Sequence, residues 1–161
     1  MMRLLMARRK AVILLFGLFF FCSSLFAGKI LIPMDLKQTD HLKAYGIAYW
    51  ALTKNIDVDW LLNYRGGSFM VDGLDIVASE CRIRGVFCED ISGGQAAQIY
   101  ADVQAENTNM DVVRLEKAPK IAVYVPQNFR PWDDAVTLAM EYAEILYEKI
   151  WNEEVLNGKL S

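Results

Sequence analysis

The stretch Asn63 to Phe69, NYRGGSF, sets an arginine, two glycines and a serine in four consecutive positions, Arg65, Gly66, Gly67 and Ser68. Bare glycine N–H groups beside a guanidinium can hold a carboxylate or a phosphate. The same Gly-Gly pair equally serves a turn that needs positive φ. The spacing fits neither G-x-G-x-x-G nor the phosphate loop G-x-x-x-x-G-K-[ST], so both readings stand, a plain turn or a turn that doubles as a binding loop. A second glycine pair, Ser92-Gly93-Gly94-Gln95, follows an expected strand and opens an expected helix. Its N–H groups would face an anion placed there, and Ser92 is also an ordinary helix cap.

Ser92 to Gly94 resembles the first half of the S-G-G-x-D-S pyrophosphate loop of ATP pyrophosphatases, but Ala96 and Ala97 stand where the aspartate and second serine belong. Trp132-Asp133-Asp134 offers paired carboxylates for acid–base work or a hard cation. Neighbours on a helix point about 100° apart, which favours acids at the positive end of a helix dipole instead. Lone His41 falls in the first turn of a helix with no nucleophile beside it. No serine lies in G-x-S-x-G, and neither Cys81 nor Cys88 sits at a strand-to-helix elbow. One histidine and no Cys-x-x-Cys leave nothing to build a zinc site; no cofactor is called for. Tyr45, Tyr49, Trp50, Trp60 and Trp132 read as core and sheet cover ahead of a sugar platform.

Residues 1–27 carry Arg3, Arg8, Arg9 and Lys10 without an acid, then an apolar run from Ala11 to Phe21, then small residues at Ser23, Ser24 and Ala27. That is the layout of a secretory signal peptide cut after Ala27. The apolar block is shorter than the ~20 residues that span a bilayer core, so an uncleaved anchor is the lesser alternative, as is a lipid anchor at Cys22. The expected address is the periplasm or cell envelope of a bacterium. Cleavage removes four of the 17 basic residues and none of the 20 acidic ones, which takes the formal charge from −3 to −7. An acidic chain without Lys/Arg clusters does not suit a phosphate backbone, which excludes nucleic acid as the expected partner. Cys81 and Cys88 then remain, either as a disulfide or as two buried thiols.

The elements that must position these groups follow from the apolar pattern. Lys29 to Met34 reads as a buried parallel strand, and Val58 to Tyr64 as a second strand that ends at Arg65-Gly66-Gly67. Between them Thr39 or Asp40 caps a helix with Leu42, Tyr45, Tyr49 and Leu52 on one stripe. A short helix through Leu74, Val77 and Cys81 stops at Gly85 in the left-handed position. Val86 to Ile91 is a strand, Ser92 caps a helix with Ala96, Ile99, Tyr100 and Val103 inward, and Val112 to Leu115 is a short edge strand. Lys120 to Pro126 echoes the first strand, Pro131 opens a helix with Trp132, Ala135, Val136, Ala139, Ala143 and Leu146 buried, and Glu148 to Trp151 returns. A strand, helix, strand unit so occurs twice, which predicts an α/β three-layer fold with a mostly parallel sheet and helices on both faces, flavodoxin-like or Rossmann-like. The expected division is residues 28–118 as an N-terminal α/β unit and 119–161 as the start of a second flavodoxin-like unit, incomplete. Ligands then belong at the carboxyl ends of the strands, in loops 35–39, 63–68, 92–95 and 127–131.

The words KILIPMD, DHLKAYGIAYWAL, DVDWLLNYRGGSF, VRLEKAPKIAVYVP and PWDDAVTLAMEYAEI together resemble exported bacterial proteins that carry the name asparagine synthetase B. That resemblance implies a longer protein whose C-terminal half is like the flavodoxin-like domain of class I glutamine amidotransferases. Its name implies glutamine-dependent amidation of aspartate, an activity that needs a cysteine after the initiator methionine and an intact S-G-G-x-D-S loop; Met2 and Ala96 stand there instead. The expected function is a cell-envelope binding or accessory module for a small anionic or peptide-like ligand at Arg65, Gly66, Gly67 and Ser68, with Ser92, Gly93 and Gly94 as a second anion position. The alternative is an amidotransferase-like hydrolase whose catalytic residues lie in further C-terminal sequence. Pairing through an exposed sheet edge, or with such sequence, is the expected protein contact.

Overall fold

The computed structural model describes residues 28–128 and 130–159. The expected signal peptide, its expected cut after Ala27 and the alternative lipid anchor at Cys22 fall outside them. Among the described residues no helix is long and apolar enough to cross a membrane.

The described residues form seven strands and five α-helices in the order β1 (Lys29–Ile32), α1 (His41–Thr53), β2 (Val58–Leu62), β3 (Phe69–Asp72), α2 (Asp75–Arg84), β4 (Glu89–Ile91), α3 (Gly93–Val103), β5 (Asp111–Leu115), β6 (Ala122–Tyr124), α4 (Ala135–Ala143), β7 (Glu148–Ile150) and α5 (Asn152–Leu156). Helix ends obey local chemistry. Asp40 caps α1 through the Lys43 amide, Ser92 and Gln95 form a capping box on α3, and Gly85 ends α2 at φ 71°.

The fold is mixed α/β, but the five-stranded sheet is antiparallel throughout, in the order β4-β1-β3-β2-β5. The mostly parallel sheet expected from the sequence is therefore corrected. A sequence reading that ends the second strand at Gly66-Gly67 places no strand at Phe69–Asp72. The chain instead turns back there, and β3 enters the slot between β1 and β2, with Ile30 opposite Val71 and Trp60 opposite Phe69. Strands β1 and β2 do run the same way across α1, but they are not neighbours. Strands β1 to β4 with α1 and α2 follow the split β-α-β plan of ferredoxin-like folds. Among the described strands only the second strand-helix-strand unit pairs in parallel, β6 with β7, Ala122 opposite Glu148 and Tyr124 opposite Ile150.

Both faces of the antiparallel sheet are covered. Ile30, Ile32, Val58, Phe69 and Val71 pack with Ala44, Ile47, Ala48 and Ala51 of α1 and with Val77 and Cys81 of α2. On the other face Leu31, Leu61 and Met70 meet Ala96, Ile99 and Tyr100 of α3. Strand β2 also carries a buried carboxylate, Asp59, toward that second face. It accepts the Tyr100 hydroxyl at 2.6 Å and the Arg114 guanidinium at 3.2 Å, and so fixes α3 to the sheet.

Two helix faces differ from the pattern read in the sequence. Helix α1 buries its small stripe, while Leu42 and Tyr45 of the expected stripe are about half exposed. Small side chains let the helix axis lie close to the sheet and to α4, a distance that a Leu–Tyr face would not permit. Gly46 shows the limit: a Cβ there would stand 1.9 Å from the carbonyl oxygen of Ala143. Helix α4 makes this contact through Ala143 in its last turn and also buries Thr137 in its first, while Trp132, Ala135, Val136 and Leu146 of its expected buried stripe are exposed. The helix proper also begins at Ala135, after a 3₁₀ turn at Pro131–Asp133.

Helix propensity alone makes Gly46→Ala stabilising by about 1 kcal/mol. The backbone approach reverses the sign, since overpacking of this kind costs about 1–3 kcal/mol. Thermal unfolding followed by circular dichroism should give a lower melting temperature for Gly46→Ala; a higher one would mean that α4 does not seat on α1.

Candidate functional site

The β2–β3 connection holds four left-handed residues in five positions: Asn63, Arg65, Gly66 and Gly67 at φ 59°, 46°, 85° and 93°. Two are not glycine, and a left-handed residue with a Cβ costs about 1–2 kcal/mol. Arg65 is held there from both ends. Its carbonyl accepts the Met34 amide at 3.1 Å. Its Nε donates to Asp35 at 2.7 Å, and Nη1 and Nη2 fork onto the two oxygens of Glu89 at 3.0 and 3.1 Å. Three of the five guanidinium N–H groups are engaged by carboxylates, which leaves one on each terminal nitrogen outside these bonds. Lys37 stands 3.8 Å from Glu89, so the rim joins two cations and two anions.

The other residues of the loop build the turn. A Cβ on Gly66 would meet the Met34 carbonyl oxygen at 2.3 Å, so the chain can pass only as glycine. The Gly67 and Ser68 amides both donate to the Tyr64 carbonyl at 3.0 Å, as does the fully buried Ser68 hydroxyl, also at 3.0 Å. The Trp60 indole donates to the Gly67 carbonyl at 3.1 Å. Electrostatics follow the pairing. The hydrogen bond from Arg65 holds both Asp35 and Glu89 below their ordinary values of 3.8 and 4.5, and those two carboxylates, Glu89 first, push the guanidinium up in turn.

The remaining candidates are placed apart. Ser92 accepts the Gln95 amide at 3.3 Å while the Gln95 side chain accepts the Ser92 amide and hydroxyl, both at 2.9 Å, the geometry of a cap. Asp134 accepts from the Val136 and Thr137 amides, and Asp133 from the Arg130 amide, so the pair does not converge on one ligand. The His41 Nε2 lies 3.1 Å from the Met34 carbonyl oxygen, on the back of the Arg65 loop. Among the described residues no group of three His, Cys, Asp or Glu could hold a metal. Cys81 and Cys88 are free thiols hydrogen-bonded to each other. That bond brings Cys88 down to about 7, with burial opposing, while the same bond and burial push Cys81 up.

The sequence singles out Arg65 and the loop 35–39, but not Glu89, which lies within the expected strand Val86 to Ile91. No local signal marks it, because its partner lies 24 residues away and arrives only through the β1–β4 pairing. Gln38 is equally silent in the sequence. Buried, it bonds the Pro33 carbonyl and both the carbonyl and amide of Phe87, locking the loop after β1 to the approach to β4. No protein-family model, no curated protein and no solved structure matches the chain.

The arrangement can receive a ligand of mixed charge. A simple anion meets two carboxylates already on the guanidinium, whereas a zwitterion can share both signs of the rim.

Arg65→Ala and Arg65→Gly both lose the ion pairs, but only alanine keeps a Cβ in the left-handed region. Urea unfolding at pH 7 should find Arg65→Ala less stable than Arg65→Gly by about 1 kcal/mol; equal values would mean that the turn is not held left-handed. Both carboxylates have depressed values in the folded protein, so the clamp stabilises fully above about pH 4.5 and is lost as pH falls through their folded values. The stability gap between the wild type and Arg65→Gly should therefore narrow between pH 5 and about pH 2, and a constant gap would discount the pairing. Alkylation of Cys88 by iodoacetamide should rise with a midpoint near pH 7 and move upward in Cys81→Ala, as mass spectrometry of the modified peptide would record; an unmoved midpoint would break the link between the thiols.

Proposed function

We propose that the chain is an exported binding or accessory module of the bacterial cell envelope, related to the proteins named asparagine synthetase B, and that it takes a small peptide-like ligand at the rim around Arg65. The observation that carries the reading is the forked Arg65–Glu89 pair with Asp35 and Lys37 beside it. Of the two ligand classes that the sequence suggests, anionic and peptide-like, this rim favours the second. An ammonium group has Asp35 and Glu89 to approach, and a carboxylate has Lys37 and the two outer N–H groups of Arg65.

The parallel β6–α4–β7 unit supports the second half of the resemblance, a flavodoxin-like segment after residue 119. Amidation of aspartate is not part of the proposal. The glycines after Ser92 start a capped helix, Ala96 is buried against the sheet, and the S-G-G-x-D-S pattern is not completed.

Isothermal titration of the protein with dialanine and with inorganic phosphate tests the reading. Dialanine should bind and phosphate should not. Lys37→Ala, which touches only the exposed member of the rim, should weaken dialanine about two- to fivefold, and Arg65→Gly should remove binding while circular dichroism stays unchanged. Phosphate binding instead of dialanine, or full dialanine affinity in Arg65→Gly, would overturn it.

A further inference from the structure

Away from the Arg65 rim, the outer side of α1 and the end of α4 enclose a cleft of about 390 Å³, within the range of small-molecule sites. Three of its walls are aromatic, Tyr49 and Trp50 from α1 and Tyr147 from the loop before β7, and two further lining groups are carboxylates, Glu141 and Glu144. Hydrogen bonds set the phenols in place. The Tyr147 hydroxyl donates to Glu141 at 3.0 Å and the Tyr49 hydroxyl to the Leu146 carbonyl at 3.4 Å.

The charge of this region is unbalanced. Arg84 is shared between Glu80, at 2.7 Å, and Glu144, at 3.3 Å. Glu141 has the uncharged Tyr147 hydroxyl as its described side-chain partner. Arg84 is thus taken up by Glu80 and Glu144, no ion pair among the described residues reaches Glu141, and Lys54 holds its ammonium 6.0 Å from the centre of the Trp50 ring. The protein's own lysine shows what the ring attracts: an ammonium over an indole face. Even with Lys54 counted, the group is one positive charge short.

We propose that this cleft is a binding site for a primary alkylammonium group, with its methylenes along Met140 and Leu146 and its charge between the aromatic faces and Glu141. The chemistry is shared by a free aliphatic diamine and by the side chain of a lysine in a peptide. The site does not depend on the ligand at Arg65, since none of its lining residues belongs to that rim.

The test is a titration of the ¹⁵N-labelled protein, read at the Trp50 indole N–H resonance, which is assigned by its loss in Trp50→Phe. Cadaverine and Nα-acetyl-lysine methylamide are the probes, and the Nε-acetylated form of the latter is the uncharged control. At least one cationic probe should shift the resonance saturably and the control should not. Response to both probes indicates a site for the alkylammonium alone, and response to cadaverine only indicates the free diamine. Glu141→Gln keeps an acceptor for Tyr147 and should weaken binding about three- to fivefold, the scale of a part-exposed ion pair. Lys54→Met, on an exposed side chain, removes the internal competitor and should tighten it about twofold. No saturable shift from either cation, an equal response to the acetylated control, or unchanged affinity in both Glu141→Gln and Lys54→Met would overturn the proposal.

Discussion

One side chain joins three separate parts of the chain. Arg65, in the turn between β2 and β3, reaches Asp35 after β1 and Glu89 at the start of β4, while its own carbonyl holds the Met34 amide. These contacts fix where β1 ends and keep β4 beside it, and the backbone must enter the left-handed region to aim the guanidinium at them. The strain is local and the return is long-range, the usual relation where several independent bonds over-determine an unfavourable backbone. Gly66 completes the arrangement by passing where no Cβ fits. The loop is thus a structural joint, and its remaining polar surface is of mixed charge because the joint is itself made of ion pairs.

The antiparallel sheet is sandwiched, and each cover is secured by a different kind of contact. Helix α1 approaches closely through alanines and Gly46, so dispersion at short range decides its position. Helix α3 is held over the other face by the buried Asp59, which would be costly alone but is satisfied by Tyr100 and Arg114 together. The last unit is attached more lightly. Ala143 against Gly46, Tyr142 on the capping Asp40 and Arg84 on Glu144 tie α4 to the rest, while Trp132 and Leu146 face outward at 67% and 72% exposure. The cleft beside Trp50 exists because this attachment uses only the last turn of α4 and the loop that follows.

Much of the local structure is legible in the residues. Gly85 ends α2 and Ser92 opens α3 because each cap depends on neighbours within a few positions, and the apolar runs at Lys29 and Val58 are strands buried on both faces. Strand direction is not legible in such runs. A strand covered on both faces carries the same continuous apolar pattern whether its neighbours are parallel or antiparallel, and the decision here falls to the six residues between β2 and β3, which the sequence marks as a turn but not as the turn that reverses the chain directly into a neighbouring strand. The stripe on α1 is legible only in part for a related reason: Leu52 is buried as its spacing suggests, but close packing buries Ala44, Ala48 and Ala51 where periodicity marks the larger Leu42 and Tyr45.

The amino-acid sequence by itself determined the mixed α/β character, the caps at Asp40, Gly85 and Ser92, the buried runs at Lys29 and Val58, and that Arg65-Gly66-Gly67-Ser68 forms a turn, because these follow from contacts within one turn of helix or one strand. Only the tertiary structure decided that β3 lies between β1 and β2, that Arg65 meets Glu89, and that Trp50 and Glu141 line the same cleft. The β1–β3, Arg65–Glu89 and Trp50–Glu141 meetings join residues 24 to 91 positions apart in the chain, and are set by sheet order and helix packing rather than by any pattern near either partner.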